Sequence, residues 1–135
     1  MKLLIIADDL TGALDTGIQF ARDGIPVCVE TGFGKTVSFD YVRYPVTVVH
    51  SASRHLTAPE ASARVEKIAE AGLQAGADLV YKKTDSGLRG RIGAELSALC
   101  RTAEAPLWFV PAFPEMDRVT RDGIHYCGGI PVVRE

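Results

Sequence analysis

The chain has 135 residues, with 15 Lys and Arg against 17 Asp and Glu and a formal net charge of −2. That length allows one domain with a real core, and the charge gives no basic footprint for nucleic acid. No apolar segment approaches membrane-spanning length, and Met1-Lys2 leads into a strand-length run rather than a signal peptide.

Leu3 to Ala7 is a continuous apolar run, as expected of a strand buried on both faces of a parallel sheet. It ends in two adjacent carboxylates, Asp8 and Asp9. Gly12 to Arg22 carries apolar residues at helical spacing (Ala13, Leu14, Ile18, Ala21), with Asp9 or Thr11 able to cap it and Asp23-Gly24 able to stop it. Ile25 to Glu30 reads as a second strand, and residues 31 to 44 as a loop. Val46 to His50 is a third strand, followed by the polar stretch Ser51 to Thr57. Pro59 to Ala75 is a second helix with proline in its first turn and Gly76 at its end. Asp78 to Lys82 is a fourth strand running into Lys83-Thr84-Asp85-Ser86-Gly87, and Gly90 to Thr102 a third helix. Leu107 to Val110 is a fifth strand candidate. The last two candidates, Gly123 to Cys127 and Pro131 to Val133, flank Gly128-Gly129, which is a hairpin signal.

Strands alternating with helices predict a single α/β domain over residues 1–135. The expected form is a doubly wound, mostly parallel sheet with flanking helices and a carboxy-terminal β-hairpin. Right-handed crossovers put every parallel strand's carboxyl end on one edge, where such sheets bind ligands. Four polar clusters fall there: Asp8-Asp9, Ser51 to His55 with Arg54, Lys82 to Arg89, and Pro111 to Arg121. Carboxylates bind hydroxyls or a metal, or act as bases, and Arg pairs with a carboxylate or phosphate. A polyhydroxylated acid or a phosphorylated sugar fits that mixture.

Plainer roles stand beside these. Asp8-Asp9 has a secondary reading as a cap plus a solvated charge, Arg54 reads as well as a surface partner of Glu60, and Ser86 as a cap. Lys82 and Lys83 alternate faces, so at least one can be merely solvated. His50, His55 and His125 show no ligand spacing and read as structural or solvated. The three cysteines, Cys28, Cys100 and Cys127, are widely spaced and form no ligand cluster. They argue against structural zinc and for reduced thiols in a cytoplasmic protein.

Three motifs fail on inspection. Gly34-Lys35-Thr36 copies the end of a P-loop, but the required glycine five positions earlier is Val29. Gly87, Gly90 and Gly93 run as GxxGxxG rather than the dinucleotide GxGxxG, although such a helix start suits an anion. A haloacid-dehalogenase-type DxD would need Asp where Leu10 stands, and a receiver domain would need an Asp ending the third strand.

The run Ala7 to Asp15 resembles the opening of the four-carbon acid sugar kinase family. So do Ser53-Arg54-His55-Leu56, the Lys-Lys-Thr-Asp-Ser-x-Leu-Arg-Gly pattern at Lys82 to Gly90, and Pro111 to Tyr126 with its Pro-Ala-Phe-Pro opening. Four ordered motifs cover nearly the whole chain. Gly87 replaces a usual Thr, and Glu115-Met116-Asp117 replaces small residues. The resemblance implies the amino-terminal, sugar-acid-binding domain of an ATP-dependent kinase that phosphorylates a tetronate or 3-oxo-tetronate on a terminal hydroxyl. It also implies that the ATP and Mg2+ site lies outside this chain, in a carboxy-terminal domain or partner subunit. On that reading, residue type and predicted position give Asp8, Asp9 and Asp15 to substrate hydroxyls and Arg54 to the substrate carboxylate. Asp85 would orient or deprotonate the hydroxyl, Lys82 or Lys83 with Arg89 would offset phosphate charge, and Ser86 would add a ligand group. The fragment alone is expected to lack kinase activity. A non-catalytic sugar-acid binding or regulatory module is the alternative, and a metal-dependent phosphoryl enzyme built on Asp8 and Asp9 a third.

Overall fold

A computed structural model describes residues 1–32 and 37–132. Gly34-Lys35-Thr36 and the final residue of the last strand candidate, Val133, lie outside the described residues. Four strands, β1 (Leu3–Ala7), β2 (Val27–Glu30), β3 (Val46–His50) and β4 (Leu79–Lys83), form a parallel sheet in the order β2-β3-β1-β4. All five residues of β1 are buried because it lies between β3 and β4, with a layer of helix on each face. Leu3, Ile5 and Ala7 pack with Ala13, Val46 and Val48 under α1 (Leu10–Arg22). Leu4 and Ile6 pack with Val49, Val65, Ala69 and Leu99 under α2 (Ala58–Gln74) and α3 (Ile92–Ala103). This alternation is the period of two made visible on a strand that is apolar throughout.

The helix ends follow local chemistry. Asp9 is the N-cap of α1, its Oδ1 accepting the Gly12 N–H at 3.0 Å. Gly24, at φ +76°, takes the left-handed turn that ends the same helix. Thr57 caps α2, with Glu60 reaching back to the Thr57 N–H (3.0 Å) and hydroxyl (2.6 Å).

Two expectations need correction at the carboxy-terminal end. Leu107 to Val110 forms no strand. Leu107 packs against the α2–α3 core, while Trp108 and Val110 are 92% and 79% exposed. An apolar run reports a tendency to be buried, not a pairing partner, and Pro106 and Pro111 remove backbone donors on either side. The sheet therefore ends at β4. The predicted hairpin is the second half of a three-stranded antiparallel meander, β5 (Arg118–Arg121), β6 (Ile124–Cys127) and β7 (Ile130–Pro131). Asp122-Gly123 joins β5 to β6 with φ of +50° and +77°, and Gly128-Gly129 joins β6 to β7 with φ of +60° and +76°. Positive φ at both central residues is what a twist-matched two-residue turn requires, and Asp-Gly is a strong sequence signal for it.

Candidate functional site

The carboxyl ends of β1, β3 and β4 converge, and three of the four polar clusters meet there. Asp8 follows β1 directly and is 3% exposed. Arg54 arrives from the loop after β3, its Nε donating to Asp8 Oδ2 (2.7 Å) and its Nη1 to Asp9 Oδ2 (2.9 Å). Asp85 arrives from the loop after β4, its Oδ1 lying 3.8 Å from Arg54 Nη2. Arg89 then closes on Asp85 through Nε (2.8 Å) and Nη2 (2.7 Å), and the backbone N–H groups of Gly87 and Arg89 donate to Asp85 Oδ2 as well. The cluster thus alternates acid and base across three strand ends.

Its electrostatics follow from those bonds. The Arg89 guanidinium is the main cause holding the Asp85 carboxyl well below the usual carboxylate range, against a burial effect that alone would raise it. Burial would lower the Arg54 pKa, but the hydrogen bond to Asp8 and the charges of Asp8, Asp9 and Asp85 together raise it. His50, the last residue of β3, is lowered by burial, opposed in part by Asp9 and Asp8. Among the described residues, one buried side-chain oxygen of this cluster, Asp8 Oδ1, has no hydrogen-bond donor. A buried carboxylate oxygen without a donor is an unusual feature of a native site, and a ligand hydroxyl is one group that satisfies it.

The loops are shaped to make this meeting possible. Ala52 and Leu88 hold left-handed backbone at φ +44° and +58°, each within two residues of a cluster residue, Arg54 or Arg89. A Cβ on Gly12 would lie 2.6 Å from Asp9 Oδ1, so only glycine leaves room for the capping carboxylate to swing over the start of α1. Gly90 in the post-β4 loop holds left-handed backbone at φ +96°; a Cβ there would meet the Arg54 backbone at 3.6 Å, an ordinary contact, so the conformation rather than the space calls for glycine.

The predicted residues divide cleanly. Asp8, Asp9, Arg54, Asp85 and Arg89 are brought together. Lys83 lies alongside, its Nζ donating to Thr84 O at 2.9 Å and lining the space beside Gly12. Ser86 is turned to the meander instead: its hydroxyl accepts from Arg118 Nη1 (2.5 Å) and its carbonyl from His125 Nε2 (2.7 Å). That carbonyl can only accept, so in neutral His125 Nδ1 accepts from Thr120 Oγ1 (2.9 Å). Asp15 is exposed on the side of α1 opposite the buried Ala13 and Gly17, because helical spacing turns it away from the strand ends. Lys82 shares the α2–α3 face with Ile6 and lies below the crevice, its Nζ 3.1 Å from Glu95 Oε2. Nor does Arg54 pair with Glu60, which is spent on capping α2. Glu95 escaped notice, although its place between Ile92 and Ala98-Leu99 puts it on the apolar face of α3.

Among the described residues no group of three or more His, Cys, Asp and Glu side chains is arranged to hold a metal ion. Asp8 and Asp9 are instead bridged by a cation that coordinates nothing. Among the described residues no helix is long and apolar enough to cross a membrane.

The family model for the sugar-binding N-terminal domain matches residues 3–135. A D-threonate kinase of Bordetella bronchiseptica is 39% identical over 132 residues, covering 95% of this chain and 33% of that protein. A D-threonate kinase of Salmonella typhimurium is 36% identical, covering 98% of this chain and 31% of that protein. A D-erythronate kinase of Heliobacterium modesticaldum is 33% identical, covering 97% and 30%. A crystal structure of a Bordetella bronchiseptica domain, solved as a domain-swapped dimer with bound citrate, superposes with a TM-score of 0.85 at 35% identity. It covers 97% of this chain and 34% of that one. The chain spans about a third of the length of the curated relatives it matches.

Proposed function

The chain belongs to the family of sugar-binding N-terminal domains of four-carbon acid sugar kinases, and on that premise we propose that it binds a four-carbon sugar acid at the β1–β3–β4 crevice. The preferred ligand class is threonate, erythronate or the 3-oxo-tetronate related to them. Joined to the nucleotide-binding remainder of a longer protein or to a partner subunit, the domain would present a terminal hydroxyl of that acid to ATP.

The observation that carries this reading is the buried, unpartnered Asp8 Oδ1 beside the Arg54 guanidinium. A ligand with several hydroxyls and one carboxylate answers both groups. Asp8 Oδ1 accepts from a hydroxyl, and Asp9 offers a second acidic edge. Arg54 spends Nε on Asp8 and one Nη1 proton on Asp9 while Nη2 faces Asp85 at 3.8 Å, and Arg89 spends Nε and Nη2 on Asp85, so the remaining Nη protons of Arg54 and the Nη1 of the largely exposed Arg89 serve the ligand's carboxylate. Asp85, kept ionised by Arg89, orients the reacting hydroxyl or takes its proton, and Lys83 offsets phosphate charge. When bound, ATP with Mg2+ supplies the phosphoryl group; this chain contributes position and charge, on which such transfers chiefly rest. The citrate held by the solved Bordetella domain, itself a hydroxylated carboxylate, is consistent with this ligand chemistry.

The test is calorimetric titration of threonate and erythronate, and of threitol and erythritol, into the wild type and Arg54→Lys. The wild type is expected to bind an acid more tightly than its alcohol. Arg54→Lys keeps the charge but loses the planar fork, so it should weaken the acid by about tenfold or more and the alcohol little. No binding of any four-carbon acid by the folded wild type rules the reading out.

A further inference from the structure

Beneath the crevice floor a second polar chain runs between the same three strand ends. Ser51 Oγ lies 2.8 Å from both the carbonyl of Ala7, the last residue of β1, and Ser53 Oγ, and because Ser53 gives its proton to Glu95, the single Ser51 proton is shared between these two acceptors. Ser53 Oγ bonds Glu95 Oε1 from α3. Glu95 Oε2 pairs with Lys82 Nζ at 3.1 Å, and Lys82 Nζ donates to the carbonyl of Lys83, the last residue of β4, at 3.2 Å. Ser51, Ser53, Glu95 and Lys82 are all buried, with both charged side chains only 1% exposed.

This chain therefore joins the end of β1, which carries Asp8, to the loop after β3, which carries Arg54. It continues to the end of β4, just before Asp85. Ser53 is the residue before Arg54 and is held between Ser51 and Glu95, with left-handed Ala52 bracketed by the two serines. Arg64 of α2 adds a second hold, donating through Nη1 to the carbonyls of Ser51 and Ala52 at 3.1 Å each. Removing an ion pair from water is a large desolvation cost, so an apolar pair of equal volume would support the fold as well or better. What an apolar pair cannot supply is directional bonding across three strand ends, and fully satisfied polar networks rigidify what they join.

We propose that the Lys82–Glu95–Ser53–Ser51 chain is a positioning device that sets the spacing of Asp8, Arg54 and Asp85. Lys82 and Glu95 act through Ser53 and the Arg54 backbone; neither touches the ligand. The ligand arm of the test rests on the sugar-acid reading, and the spectroscopic arm does not.

The test compares the wild type, the double variant Lys82→Met/Glu95→Leu, and Ser53→Ala. The wild-type Arg54 Nε–H, bonded to Asp8, should give a slowly exchanging side-chain signal in 1H–15N spectra, assigned by its loss in Arg54→Lys. In the double variant the melting temperature should hold or rise while that signal exchanges rapidly. Threonate affinity should fall roughly tenfold, as for one displaced charged hydrogen bond, with threitol affinity nearly unchanged. Ser53→Ala, which leaves the ion pair in place, should show the same signs more weakly. A folded double variant with the wild-type Arg54 signal overturns the proposal whatever the sugar acids do. Unfolding of Ser53→Ala also overturns it, because a hydroxyl whose loss dissolves the fold is structural support. If the wild type binds no four-carbon acid while the Arg54 signal still responds, the sugar-acid reading fails and the positioning device stands.

Discussion

At the scale of single residues, Asp8 and Asp9 are adjacent in sequence but differ in what they do. Asp8 is buried with one oxygen on Arg54 and one without a partner, whereas Asp9 divides its oxygens between Arg54 and the α1 N-terminus. Asp8→Asn is expected to weaken threonate binding about tenfold or more, the range of a lost charged hydrogen bond. Asp9→Asn should change the unfolding midpoint little, since Asn caps as well as Asp; isothermal titration and urea melts on both proteins check this pair of outcomes. Asp85 makes a separate claim. Its native pKa lies below its unfolded value, so its stabilising effect is complete above the unfolded carboxylate pKa of about 3.9. That effect is lost progressively as pH falls from there toward the lowered native value. Urea midpoints measured from pH 6 to about pH 2 should therefore fall less steeply in Asp85→Asn than in the wild type.

At the scale of elements, glycines in two helices behave oppositely. A Cβ on Gly72 of α2 would lie 2.5 Å from Leu4 Cδ2, with Phe39 Cε1 behind it at 3.5 Å. Leu4 is fully buried in β1 and has nowhere to withdraw. Gly72→Ala therefore gains about 1 kcal/mol of helix propensity but loses about 1–3 kcal/mol to overpacking, and its urea midpoint should drop. Gly93 in the first turn of α3 has nothing within 4 Å of the same added atom. There Gly93→Ala should raise the midpoint, by up to about 1 kcal/mol. A rise in both variants would mean that α2 is not seated on β1 as described. The meander belongs to this scale too: it is fastened to the site loop through Arg118 and His125 on Ser86, which ties the fourth polar cluster to the third.

At the scale of the whole molecule, the sheet stops at β4, where Leu79 and Tyr81 stand half exposed and line a groove with Leu3, Thr16, Gln19 and Phe20. The chain corresponds to about a third of its kinase relatives, and the ATP site is proposed to lie in the remainder. The isolated chain is therefore expected to bind threonate yet give no phosphorylated product with ATP and Mg2+ in a coupled assay. Product formation at a kinase-like rate by the purified chain would show that the division between the two domains is drawn in the wrong place.

Sequence alone was enough for the parallel four-strand frame, because β1 is apolar at every position and the first two helices carry their own punctuation: Asp9 and Gly24 for α1, the first-turn proline and Gly76 for α2. That Asp8, Asp9, Arg54, Asp85 and Arg89 meet at one edge was legible for the same reason, since a strand's end locates the polar side chains that follow it. The fate of Leu107 to Val110 was not legible, because hydrophobicity reports burial and pairing needs a partner edge. Asp122-Gly123 did carry a hairpin signal, so β5 was readable in principle. The tertiary structure decided the directions of individual side chains. Lys82 and Lys83 are neighbours of one type, yet the strand's alternation sends one down to Glu95 and leaves the other beside Gly12. Arg54 had two acidic choices in sequence, and only the convergence of three strand ends selects Asp8, Asp9 and Asp85 over Glu60. Such choices depend on contacts between residues about 30 to 46 positions apart, and no local pattern encodes them.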